Sequence, residues 1–271
     1  MIRAPLSVTS VLDETTDAVS HAAAPWSAVL ILTSIPYRFL QVLFLDRLAE
    51  LGTNAAHYGR VLGQTANWTL AAFIVSLWGR AVWARACRIA TETGERPGRE
   101  AFRVPLVAFV SYVYTAALAE VLFYGTLITF IGPVVVTLFA GLAAGTMELN
   151  EQVSLRQPLR LIARYAREAR VEFGVALVFA VALLVALVNL AVAFDLGLWM
   201  ARGFAGADIS RWNVLISNSN RIMRWLLYAG TVIAVEPFWV AANVVLVRKS
   251  GAAESGEELR IWFRDLQGER P

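Results

Sequence analysis

Five charged residues fall within or at the ends of long apolar runs: Arg38, Arg80, Glu120, Asp195 and Glu236. Charge inside a bilayer is costly, so each marks a substrate path, a proton relay or a structural pair until shown otherwise. Depth sorts them. Arg38 lies twelve residues from Trp26, the inner end of its run, and Glu236 eleven from Val247. These spacings correspond to about 18 and about 16 Å along a helix. The two opposite charges can therefore meet at mid-membrane. A relay needs a longer ladder of carboxylates, so a buried Arg38–Glu236 pair holding two spans together is the plainer expectation. Arg80 is six residues from Ala86 and can reach the inner surface with its long stem. Glu120 and Asp195 sit near the outer ends of their runs, close to water. Pro36 and Pro237 interrupt the same two helices beside Arg38 and Glu236. That arrangement suits a transporter's midplane site. It is also ordinary in membrane helices whose neighbours satisfy the freed carbonyls.

A second group is basic. Arg156, Arg160, Arg164, Arg167 and Arg170 follow or flank Pro158 at helical spacing, opposite an apolar stripe of Leu159, Ile162, Ala166 and Ala169. Such a face can hold anionic lipid headgroups, at about 1 kcal/mol per basic residue. It can instead align with an acidic stripe, Asp13, Glu14 and Asp17, near the N-terminus. Exposed pairs of that kind contribute only about 0–1 kcal/mol each. Catalytic signatures are absent: no Gly-x-Ser-x-Gly elbow, no His-Glu-x-x-His and no P-loop lysine spacing occurs. Cys87 is the single cysteine, and His21 and His57 are far apart without ligand spacing. The expectation is no enzyme, no metal and no cofactor. A formal charge of +3 gives no reason to expect nucleic acid.

The elements that must carry these residues follow from composition. Hydrophobic residues make up 58% of the 271 and charged residues 17%, against about 45–50% and 25% in soluble globular proteins. The excess comes in blocks: Trp26–Leu45, Ala66–Ala86, Val104–Met147, Val171–Leu196 and Ile222–Val247. The third block is 44 residues long, about 66 Å as one helix, twice the ~30 Å hydrocarbon core. It must be two spans turning between Gly125 and Pro133. The expected fold is all-α: a polytopic membrane protein of six transmembrane helices with amphipathic interfacial helices on its cytoplasmic face. Its parts are an N-terminal amphipathic helix (1–25), the transmembrane domain (26–247) and a cytoplasmic tail with a short amphipathic helix (248–271). In the first of these, Val8, Leu12, Thr15, Val19 and Ala22 share one face, and Ser7 or Ser10 can cap the start. In the last, Ser255 and Glu258 have capping-box spacing. With both termini inside, 16 of the 21 Arg and Lys residues outside the spans lie on the inner side. The loops 46–66 and 197–221 are then outside. The acidic N-terminus does not suit a cleaved signal, and 23 arginines against one lysine look like a GC-rich bacterial genome. The expected location is a bacterial inner membrane.

The order of these features resembles a known architecture. An amphipathic lead, Pro5-Leu6-Ser7-Val8 through Val11-Leu12-Asp13, precedes the first span, and an apolar hairpin ends in Met147-Glu148. A basic helix follows at Pro158-Leu159-Arg160-Leu161-Ile162. The last span carries Glu236-Pro237-Phe238-Trp239-Val240-Ala241-Ala242 before Arg248-Lys249, and the tail runs Glu257-Glu258-Leu259-Arg260 through Phe263-Arg264-Asp265-Leu266. This resembles the membrane domain of bacterial glycerophosphodiester phosphodiesterases and related stand-alone six-pass proteins. Without a phosphodiesterase domain, the resemblance implies a membrane scaffold with no catalytic residue to carry over. Two readings stand side by side. One is a non-enzymatic scaffold or partner-binding subunit with lipid or protein partners at its inner face. The other is a small transporter or channel using Arg38 and Glu236.

Overall fold

A computed structural model describes residues 7–50, 55–125, 169–206 and 220–255. Among these, every regular element is helical: α1 Val8–Glu50, α2 Ala55–Thr93, a 3-10 turn Arg99–Phe102, α3 Leu106–Gly125, α4 Ala169–Ala205 and α5 Arg221–Ser255. Side chains set several ends. Ser7 Oγ accepts the Ser10 amide at 3.2 Å, and Asn220 Oδ1 accepts that of Ile222 at 2.9 Å, each taking an otherwise orphaned first-turn donor. Gly94, at φ +69°, follows the last residue of α2 and donates its amide to Ala90 O at 2.9 Å. This left-handed stop accepts a glycine without strain.

Four stretches are long and apolar enough to cross a membrane: Trp26–Leu48, Val61–Thr93, Arg170–Phe204 and Ile222–Lys249. The apolar part of α3, Leu106–Leu122, is shorter than these. The described residues thus hold four such helices where six spans were expected. The turn between Gly125 and Pro133, and the apolar run beyond it, lie outside them. So do Arg156, Arg160, Arg164 and Arg167.

The helices are longer than the apolar blocks because helix length is not limited by the bilayer. α1 is one helix of 43 residues. The amphipathic lead expected to lie apart on the membrane surface is therefore continuous with the first span. Its buried face is Val11, Thr15, Ala18, Ala22 and Trp26; Thr15 and Ala22 were expected there, and Val11 and Ala18 replace Leu12 and Val19, a turn of about 40° at 100° per residue. The loop expected over 46–66 is mostly helix, since α1 runs to Glu50 and α2 starts at Ala55. Ser255 closes the described part of α5 and does not begin a new helix there; the expected tail helix after it lies outside the described residues.

The chain divides into two compact units. The first comprises residues 1–26, 80–177 and 238–271. Its core is small: Ala81, Ala86, Ala90, Ala108, Ala116 and Ala119 are buried together with Val244, Val245 and the fully buried Trp83. Small side chains let helix backbones approach closely, which drives packing where lipid removes the hydrophobic contrast. The second unit comprises 27–79 and 178–237. There Gly79 faces Thr33 so closely that a Cβ would occupy the space of the threonine side chain. Tyr37 stacks at a tilt on Phe73, ring centroids 5.2 Å apart.

Candidate functional site

Buried polar side chains in these helices are mostly satisfied by the preceding turn of their own backbone. Thr15 donates to Val11 O at 2.6 Å, Thr115 to Ser111 O at 2.8 Å, Thr231 to Leu227 O at 2.8 Å, and Asn243 to Trp239 O at 2.7 Å. This is the usual way of keeping a polar group in a low-dielectric interior. Against that background the exceptions stand out.

One lies on α1 in the second unit. Ser34 is fully buried and its Oγ has no hydrogen-bond partner. One turn later Arg38 donates Nη1 to Gln41 Oε1 at 2.9 Å, and its guanidinium carbon stands 5.1 Å from the Tyr37 ring centroid. Its Nε is buried without a hydrogen bond. Residues four apart share a helix face, so two unsatisfied donors are stacked on one side of α1, flanking Pro36. Pro36 itself frees the carbonyl four residues earlier. Glu236 is buried in the same unit, on α5, beside Pro237. Arg80 and Glu120 belong to the first unit and are half-buried. Asp195 is exposed on α4, and Arg170 is exposed in its first turn. Arg38 and Glu236 fall in one unit, and the described contacts of Arg38 are to Gln41 and Tyr37 on its own helix.

The second concentration of charge, at the helix ends of the first unit, was not anticipated. Glu14 Oε1 accepts from Arg248 Nη1 at 3.1 Å and its Oε2 faces Lys249 Nζ at 2.9 Å. Arg248 also donates to Thr91 O at 2.6 Å, and Lys249 to Ser10 O at 3.1 Å. A single carboxylate with two cations ties the start of α1 to the ends of α2 and α5. Arg248 thereby caps a carbonyl in the last turn of α2, the favourable end for positive charge, while Lys249 bonds one in the first turn of α1. The signal was present in the sequence, since Arg248-Lys249 directly follows an apolar run, but its partner is 234 positions away.

Between α2 and α3 the turn is held from several sides. Glu100 Oε1 accepts the Gly98 amide at 2.6 Å, and Arg85 Nε donates to Glu100 O at 3.0 Å. Trp26 Nε1 donates to Pro97 O at 3.2 Å and its ring meets Phe102 edge-on at 4.8 Å. The backbone amides of Glu100 itself and of Gly98 hold the Glu100 carboxyl below the usual range, with Arg103 and Arg85 adding to the effect. None of these three places combines a nucleophile, a base and an oxyanion donor set. Comparison with family models, curated proteins and solved structures finds no match for the chain.

Proposed function

We propose that this chain is a non-enzymatic scaffold or partner-binding subunit of a bacterial inner-membrane assembly, with both termini cytoplasmic. The observation that carries the reading is an asymmetry among the apolar helices. Only 6% of the Arg170–Phe204 stretch is buried, against 56% for Val61–Thr93 and 61% for Ile222–Lys249. Leu177, Val181, Leu184 and Val188 form an exposed stripe along α4 at helical spacing. A tied frame with one open apolar flank suits a subunit that takes its partner sideways, within the bilayer. In this reading α3 and the apolar run to Met147 supply the remaining two of six spans, and the 16-to-5 bias of basic residues sets the orientation.

Photocrosslinkers placed at Val181, Leu184 and Val188 in native membranes test it. A discrete protein adduct, repeated at all three positions, is expected. Adducts to lipid alone would remove the partner-binding reading. The transporter reading draws on a different observation, the unsatisfied Ser34 Oγ and Arg38 Nε in mid-helix. It expects solute flux in reconstituted vesicles that Arg38→Gln abolishes.

A further inference from the structure

The turn from α2 to α3 carries three arginines, Arg96, Arg99 and Arg103, all exposed, and among the described residues none is held in an ion pair. Interleaved with them are apolar side chains that the fold leaves outside: Phe102 at 44% exposure, Leu106 at 74% and Val107 at 45%. The turn joins two apolar helices. The first, Val61–Thr93, is long enough to cross a membrane, and the second opens at Leu106. With both embedded, residues 94–105 have no choice of depth and lie at the boundary between water and hydrocarbon. There the two exposed classes face different media, guanidiniums toward headgroups and Phe102, Leu106 and Val107 toward acyl chains.

The turn is also pre-shaped. Trp26 fixes Pro97 through its carbonyl and Phe102 through its ring. The two carboxylates of the turn are Glu95 and Glu100, and the second is occupied by the Gly98 amide. The turn thus carries three arginines against two carboxylates, a formal excess of one positive charge. The amides opening α3 add a partial positive charge at the same level.

We infer that Arg96, Arg99 and Arg103, with Phe102 and Leu106, form a binding site for the phosphate of an anionic phospholipid at the membrane surface. The site rests on the reading of α2 and α3 as membrane-embedded. It is separate from the basic stripe after Pro158, because its residues are fixed by a short turn whose backbone is tied at both ends.

The test uses the full chain in nanodiscs of mixed phosphatidylglycerol and phosphatidylcholine, released into native mass spectrometry to count retained lipids of each kind. Wild type is expected to retain phosphatidylglycerol preferentially. The triple variant R96Q/R99Q/R103Q should lose that preference by roughly a hundredfold, about fivefold for each arginine at about 1 kcal/mol apiece. The triple Lys variant, which keeps the charge, should retain most of it. Raising salt should weaken the wild-type preference without any substitution, which covers the case of a variant that folds poorly. Equal retention of both lipids by wild type overturns the site and leaves the embedded reading standing. No retained lipid of either kind overturns both. Displacement of phosphatidylglycerol by inorganic phosphate at matched charge would make this a soluble-anion site and also overturns the inference.

Discussion

The two units differ in where their charged groups are joined. In the first, charge is kept at the helix ends and consumed there: Glu14 takes Arg248 and Lys249, and these take the carbonyls of Thr91 and Ser10. Its interior is rich in alanine and valine, with the larger Trp26, Trp83, Tyr112 and Leu246 among them. In the second, Ser34 Oγ and Arg38 Nε are left unsatisfied one turn apart on α1, while in the first Ser111 Oγ on α3 is buried without a hydrogen bond. Its α4 segment faces outward along nearly its whole length. The first arrangement maximises packing and fixes geometry. The second retains groups whose satisfaction has to come from water, a ligand or a neighbouring chain.

The largest expected effect separates the interiors. Trp83→Ala removes a fully buried ring from the first unit and should cost about 3 kcal/mol, near the lower end of the range for such truncations. In a lipid-solvated helix the loss is one of packing contacts, since transfer to hydrocarbon is no longer at issue. Leu184→Ala on α4 should change stability by less than about 0.5 kcal/mol. Thermal unfolding in detergent, followed for both variants, checks the contrast. A comparable loss for both would mean that α4 is packed as tightly as the first unit's core.

These differences explain what could be read from the sequence. The apolar runs were legible because lipid imposes a minimum of about 20 apolar residues on a spanning helix. The start of α1 was legible too, since Ser7 caps it as expected; its run forward to Glu50 was not, because a hydropathy window stops where the apolar residues do. The buried face of the lead was shifted for a related reason. The expected Thr15 and Ala22 are buried, but where size favours Leu12 and Val19 a close-packed helix junction selects Val11 and the smaller Ala18. Arg38 and Glu236 were visible as anomalies of composition. The Glu14 node was not, because nothing local distinguishes an exposed carboxylate from one that meets Arg248 across the fold. The turn at Gly98 was invisible because its local bond to Glu100 looks like that of any solvated Arg-rich loop, and Trp26, which also holds it, lies 71 positions away.

The next two effects have opposite signs. Glu14→Gln should lower stability by about 1 kcal/mol at low salt and less as salt rises, because all three side chains remain partly exposed, at 28%, 39% and 22%. The residual bonds of Arg248 and Lys249 to backbone carbonyls limit the loss. Arg38→Met should leave the melting temperature unchanged or raise it. It removes the buried Nε that no group satisfies and puts an apolar chain of similar length there, a gain that offsets the lost bond to Gln41 and the contact with Tyr37. If Arg38 and Glu236 act as a pair, the same substitution costs roughly 3–5 kcal/mol by stranding the carboxylate. Melting curves of Arg38→Met, Glu236→Gln and the double variant decide between these accounts, since only a pair makes the double variant more stable than either single one.

The smallest effect is local and pH-dependent. The Glu100 carboxyl is held below its ordinary range, first by its own backbone amide, then by that of Gly98, with Arg103 and Arg85 contributing. A group whose pKa is depressed by folding adds stability that is complete above its unfolded value, about 4.3. That stability disappears as pH falls through the lower folded value. The turn should therefore be fully ordered at neutral pH and loosen only in acid. Since Glu100 is exposed, the change belongs to the turn and not to the fold. The measurement is the protection factor of the Gly98 amide, which donates to Glu100 Oε1 at 2.6 Å. Protection should hold from neutral pH down past 4.3 and fall below it, while the Ala90 amide, buried in α2, keeps its protection. Glu100→Gln should show weakened Gly98 protection already at neutral pH and no further acid step. A Gly98 amide whose protection ignores both the substitution and the acid would show that the turn is held by Trp26 and Arg85 alone.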